Sequence, residues 1–271
     1  MALYANFHAA SEVLISPDLA DLAGAVGRKQ NAASRGMHNL ADCWTNDQRL
    51  RLVADSLAPD DCARDTQYAG RRVLVSEAHF AKGAALFRQS EQRDYAYVVR
   101  TGVVALHRSF ADGRRVILAF ALPGDFLGLL VGTAPGCSAN AMGPVSASQI
   151  SRAGISVLID SDPNFHGELE ALSAHDLSNA YDHMMRLSRC TARERIARFL
   201  IDLRSRWKRI KGEATYIALP MTREDIGNHV GLTIETVSRT FSLLARERII
   251  EVDANGVDVL DIRRLKASLA I

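Results

Sequence analysis

Glu235, Ser238 and Arg239 stand at i, i+3 and i+4, so on a helix they project together. Their chemistry is that of base recognition. An arginine can bond both guanine acceptors bidentately, a glutamate can accept from the cytosine amino group, and a serine can reach a base or a phosphate. The hydroxyls of Thr222, Thr233 and Thr236 complete the set of candidate DNA contacts. The same residues also admit a blander reading, a solvated face with an intrahelical Glu-to-Arg pair.

The elements that position these residues decide between the two readings. Thr222 can cap a helix with Glu224 and Asp225 in its first turn, where the dipole favours acids, and with Ile226 and Val230 inward; Gly231 ends it. Thr233 caps a second helix, over 233–246, on which Ile234, Val237, Phe241 and Leu244 recur at helical spacing and are expected to face a core. A helix, a glycine-bearing turn and a second helix form a helix-turn-helix, whose second helix enters the major groove. After it, Ile249 to Asp253, an Asn255-Gly256 turn signal and Val257 to Leu260 read as a two-stranded wing.

With 271 residues and 48% hydrophobic content, the chain is too long for this unit alone and can bury at least two cores. No stretch approaches the roughly 18 apolar residues of a membrane span, and the N-terminus has no charged segment followed by an apolar run, so a cytoplasmic protein is expected. Cys43, Cys62, Cys137 and Cys190 form no C-x-x-C pair, which suggests reduced thiols and no metal site. Net charge is +2, but residues 190–271 carry +4 and the preceding residues −2, an asymmetry that permits DNA binding.

Residues 1–66 read as an N-terminal extension with short helices near Pro17 to Ala23 and Asn46 to Leu57, a polar stretch between them, and surface histidines His8 and His38. Over 67–154 the pattern turns to period two. Tyr95, Tyr97 and Val99 alternate, as do Val103, Ala105 and His107, then Val116, Leu118, Phe120 and Leu122, with turn signals at Gly83, Gly102, Gly113 and Gly124. Short strands so spaced imply an antiparallel sandwich or jelly roll. Residues 155–189 give a short helix and, after Pro163, a long one whose stripe of Phe165, Leu169, Leu172, Ala180, Met184 and Leu187 wants a partner, such as a second subunit. Residues 190–271 begin with a helix from Thr191 to Trp207 that is basic on its outer face and carries Ile196, Phe199, Leu200 and Leu203 inward.

Several motifs occur in series: Lys82-Gly83-Ala84-Ala85-Leu86-Phe87-Arg88, Tyr97-Val98-Val99-Arg100-Thr101-Gly102, Leu122-Pro123-Gly124-Asp125-Phe126-Leu127-Gly128, Ala192 to Leu200, and Met221 to Asn228 followed by Glu235-Thr236-Val237-Ser238-Arg239. Over about residues 70–260 this order resembles the Crp/Fnr superfamily of bacterial transcription regulators, with a recognition block similar to its Fnr and FixK branch. The resemblance implies an α+β chain with an N-terminal antiparallel β-roll like a cyclic-nucleotide-binding domain, a long dimerisation helix and a C-terminal winged helix-turn-helix. It implies a homodimer on double-stranded DNA, at a TTGAT-N4-ATCAA-like palindrome, with RNA polymerase as a further partner of an activator.

Departures from the family bear on cofactors. Leu129 and Leu130 follow Gly128, and Cys137-Ser138-Ala139 stands where cyclic AMP binders carry an arginine. Neither an apolar side chain nor a thiol replaces the ribose-binding acid and the phosphate-neutralising arginine, so cyclic AMP is not expected. A [4Fe-4S] cluster needs four thiolates in reach. Cys43 and Cys62 have eighteen residues between them and the roll position holds Ser148, so no cluster is expected either. Haem through His79 or His107 stays open. No catalytic motif is present, and an enzyme is not expected. The alternative function is an effector-binding roll whose output is not DNA binding. Cys190, preceding the Thr191 cap with Arg186, Arg189 and Arg193 near in sequence, is a candidate redox thiol.

Overall fold

A computed structural model of the chain describes residues 64–68, 71–92, 94–128, 136–161, 163–212 and 215–269. The expected N-terminal helices, His8, His38, Cys43, Cys62, Leu129 and Leu130 lie outside the described residues.

Among the described residues, the chain before Arg152 forms nine strands, with glycines at the expected turns between several of them. They are β1 (Arg64–Tyr68), β2 (Arg71–Phe80), β3 (Ala85–Phe87), β4 (Tyr95–Thr101), β5 (Val104–Ser109), β6 (Arg115–Ala121), β7 (Phe126–Leu127), β8 (Ser138–Ala141) and β9 (Val145–Ser151). They form two antiparallel sheets, ordered β1-β2-β9-β4-β7 and β3-β8-β5-β6. Leu86, Phe87, Tyr97, Val99, Val104, Leu127 and Val145 pack in one buried cluster.

Several strands depart from simple alternation, β4 and β6 among them. On β4, Tyr97, Val98 and Val99 are all buried. The outer face is not wet, because Ala96 and Val98 meet Ile155 and Leu158 of α1 (Arg152–Ser161) and Phe165 of α2 (Pro163–Arg189). On β6 the expected set is split: Val116 and Leu118 are exposed, whereas Ile117, Phe120 and Leu122 are buried. The pairing of β5 with β6 shifts between Leu106 opposite Ala119 and His107 opposite Ile117. This bulge inserts one residue, and a slip of one residue exchanges the faces of a strand.

Pro163 opens α2 at a position where its missing N–H costs nothing. The helix runs 27 residues, about 40 Å. Phe165 anchors its start to the roll, while Leu177, Tyr181, Met184, Met185 and Leu187 further along are exposed.

The C-terminal part follows as α3 (Ala192–Lys211), β10 (Tyr216–Ala218), α4 (Arg223–Val230), α5 (Ile234–Arg246), β11 (Ile250–Val252), β12 (Gly256–Val259) and α6 (Ile262–Ala267). Thr191 and Glu194 close a capping box on α3. The wing has three strands, in the order β10-β12-β11, not two. The added strand is three residues long, too short to show a period. Ile196, Leu200, Ile226, Val237, Phe241, Leu244 and Leu265 share a core into which Val103, Ala105, Ile117, Phe120 and Leu122 of the roll also enter. The outer face of β5 and β6 is therefore covered by the C-terminal elements.

Candidate DNA-recognition surface

The helix-turn-helix is set by caps. The Thr222 hydroxyl accepts from the Asp225 N–H at 3.1 Å, and the Asp225 carboxylate accepts from the Thr222 N–H at 3.0 Å. Gly231 takes the left-handed conformation (φ 67°) that ends α4. Gly227 lies beneath the turn: a Cβ built on it would meet the Leu232 carbonyl oxygen at 2.6 Å. Only a residue without a side chain lets α5 leave α4 this closely. Thr233 then caps α5, accepting from the Thr236 N–H at 3.3 Å, with the two hydroxyls 3.1 Å apart.

On α5, Val237, Thr240, Phe241 and Leu244 are buried, and Glu235, Ser238 and Arg239 are exposed together. Arg239 Nε donates to the Glu235 backbone carbonyl at 3.4 Å. Among the described residues no ion pair joins the two side chains, so the guanidinium edge is not spent on Glu235. The Glu235 carboxyl is held below the usual carboxylate range, first by its own backbone N–H, then by the Thr233 hydroxyl, with Arg239 adding to the effect. It is ionised at neutral pH and can only accept. Thr222 and Thr233 are exposed, and Thr236 is half-buried. Arg223 stacks its guanidinium 3.6 Å from the Phe241 ring centroid, which holds a further cation at the start of α4.

Ile234 departs from expectation: it is 46% exposed. By angle it shares the face of Val237 and Phe241, but it occupies the first turn, beyond the reach of the core. An exposed isoleucine beside the polar trio adds an apolar contact of the kind that meets a thymine methyl.

The joint between α2 and α3 is tied by Arg195, which donates to the carbonyls of Leu187, Cys190, Val230 and Gly231. Cys190 is half-buried there. Of the arginines near it in sequence, Arg186 pairs with Asp202 at 3.0 Å, and Arg193 makes a bidentate pair with Glu247 at 2.7 and 2.6 Å. Beside the joint, the His183 and His229 rings stack with centroids 4.8 Å apart, and His229 also meets Phe120 and Phe199 edge-on or tilted. Burial, then the neighbouring His183, pushes His229 down to about 4. Polar contacts join the roll to the C-terminal elements. Arg115 pairs with Asp225, His229 Nδ1 donates to the Ile117 carbonyl at 3.2 Å, and Arg206 bonds both Asp125 and the Phe120 carbonyl.

In the roll, Ser138 is buried and accepts from the Gln89 N–H, and Ser148 is buried and accepts from Arg100. Leu86, Val99, Val104, Leu127 and Ala147 are among the buried apolar residues packed inside the roll. His107 is buried with Nε2 2.8 Å from Asn140 Oδ1, whereas the His79 side chain is exposed beside Glu77. Among the described residues no group of three or more His, Cys, Asp or Glu is placed to hold a metal, and no helix is long and apolar enough to cross a membrane.

Comparison with known proteins places both halves. Residues 194–268 match the Crp-like helix-turn-helix domain, and residues 77–162 match the cyclic nucleotide-binding domain. The chain is 39% identical to the nitrogen fixation regulation protein FixK of Bradyrhizobium diazoefficiens, over 86% of this chain and 94% of that protein. It is 39% identical to the transcriptional activatory protein AadR of Rhodopseudomonas palustris, over 73% of this chain and 82% of that protein. Among solved structures, FixK2 from Bradyrhizobium japonicum superposes with a TM-score of 0.68 at 35% identity, covering 73% of this chain and 98% of that one.

Proposed function

This chain belongs to the Crp/Fnr family of transcription regulators, and from that premise we propose that it acts as a homodimer on a palindrome of the TTGAT-N4-ATCAA type, with one α5 in the major groove of each half-site. The observation that carries the reading is the exposed face of Glu235, Ser238 and Arg239, with the arginine unpaired to the glutamate side chain. In this reading Arg239 bonds a guanine, Glu235 accepts from a cytosine and Ile234 packs on a thymine methyl. Thr222, Thr233 and Thr236 stand at the N-termini of α4 and α5, where amides and dipole favour phosphate. A gel-shift with the palindrome against a scrambled duplex at physiological salt tests it: a clear preference for the palindrome is expected, and equal binding removes the sequence-specific reading.

We assign no cofactor to this activity. A cyclic nucleotide needs an acid for its ribose and a cation for its phosphate, and Leu129, Leu130 and Cys137 can supply neither at the positions where cyclic AMP binders carry them.

The dimer is proposed to form along α2. Leu177, Tyr181 and Met184 recur at helical spacing and are 55%, 56% and 55% exposed, an apolar stripe that a second copy of the same helix covers in register. Sedimentation equilibrium of the parent should give about twice the 29.6 kDa chain mass. Met184→Glu, which places like charges across the two-fold seam, should give the single-chain mass and weaken palindrome binding. A parent that sediments as a single chain excludes this interface.

A further inference from the structure

The edge strand of the roll grips the first helix of the helix-turn-helix at two points. On β6, Arg115 contributes its side chain and Ile117, two residues on, its backbone carbonyl; Asp225 and His229 are four apart on α4 and share a face. Arg115 pairs with Asp225 at the start of α4, and His229 donates to the Ile117 carbonyl one turn later. The Asp225 side chain is 7% exposed and that of Arg115 39%, so the pair is partly shielded from water and from salt. Asp225 is also the acid of the α4 capping box, and Arg115 thus neutralises a carboxylate in the first turn of the helix that precedes the reading head.

The roll is in turn fixed to the start of α2 by the cluster of Val98, Ile150, Leu158 and Phe165. Besides the shared apolar core and the Arg206 contacts, the orientation of α5 relative to α2 has two supports. One is the joint at Cys190 and Thr191, tied by Arg195; the other is β6, acting through α4. In a dimer built along α2, the separation of the two reading heads follows from how each is held relative to that axis.

We propose that Arg115 is a positioning residue for DNA recognition: by holding Asp225 it fixes the helix-turn-helix against the roll and sets the half-site spacing that the dimer accepts. The inference rests on the dimeric reading above. It assigns the roll a part in specificity that needs no bound effector and no contact with a base.

The experiment measures affinity of the full chain for TTGAT and ATCAA half-sites separated by three, four, five and six bases, at two salt concentrations, with thermal melts of each variant. The parent should prefer the four-base spacer. Arg115→Gln should lose about tenfold on that spacer, as for a lost charge-assisted hydrogen bond, and no more than about threefold on the others, so that the preference flattens. The salt slope should stay unchanged, and Arg115→Lys should restore most of the preference. Asp225→Asn, which keeps the cap acceptor and removes the charge, should flatten it in the same way. Equal loss on every spacer overturns the proposal. With the salt slope reduced by about one, Arg115 would be a phosphate contact; with a lowered melting temperature and an unchanged slope, it would only stabilise the fold. If Asp225→Asn keeps the parent's preference, the pair does not set the spacing. A parent that binds all duplexes alike, scrambled ones included, takes down the proposed function and this inference together, and is recognised before any variant is compared.

Discussion

Replacing Arg239 with alanine is expected to weaken binding to the palindrome by about 2–6 kcal/mol, because each half-site loses about 1–3 kcal/mol and the dimer carries two. That corresponds to roughly thirty-fold to beyond ten-thousand-fold in affinity. The size of the effect follows from the state of the side chain before binding. Arg239 makes one long bond to the Glu235 carbonyl and no ion pair with its carboxylate, so little has to be broken to present its fork to a guanine. The loss should be specific. Against duplexes with single base changes, the variant should no longer distinguish the guanine, while selection at the other positions persists. Glu235→Ala should loosen selection at the cytosine instead, with a smaller loss, since its ionised carboxylate makes one acceptor contact. A loss that is uniform across all sequences, with a shallower salt dependence, would make Arg239 a phosphate contact.

What the sequence disclosed was local. The caps Thr222 and Thr233, the terminator Gly231 and the buried set Val237, Phe241 and Leu244 are each written within one turn of the residues they act on, and all stand where the pattern puts them. The motif order identified the superfamily, and the relatives agree with it: they are transcription regulators, not enzymes. Ile234 was misread because periodicity gives an angle around a helix and says nothing of where the core ends along its axis. Val116 and Leu118 were misread because a bulge is invisible to a period-two count. The double burial of β4 was missed because alternation assumes water on one face, and α1 and α2 exclude it. The contacts that join roll to reading head have no local signature at all. Arg115 and Asp225 are 110 residues apart, and Arg206 and Asp125 are 81 apart. Of the arginines near Cys190 in sequence, Arg186 pairs with Asp202 and Arg193 with Glu247, partners 16 and 54 residues away that a local reading does not announce.

The second large effect is a dependence of stability on pH that centres on His229. Its ring is enclosed by His183, Phe120 and Phe199, and its Nδ1 proton is given to the Ile117 carbonyl. Burial is the main cause that lowers it from 6.5 to about 4; the adjacent His183 comes next, Arg186 and Arg206 add to it, and the bond to Ile117 opposes it. His183 is lowered as well, mainly by burial. Between about pH 6.5 and pH 4 the unfolded chain therefore binds a proton that the folded chain refuses. Stability rises with pH across that window and is level above it with respect to this group. At about 1.36 kcal/mol per pH unit, the loss on acidification through the window reaches about 3 kcal/mol at most. Carboxylates also lose stabilisation in acid, so the measurement has to be a difference. Urea unfolding of the parent and of His229→Phe, whose ring suits the aromatic surroundings but takes no proton, should give curves that converge as the pH falls from 7 towards 4.5. The parent should lose more stability than the variant, with most of the difference arising below pH 6.5. Parallel curves over that range would mean that His229 accepts its proton in place, and that the ring stack at this joint tolerates a charge.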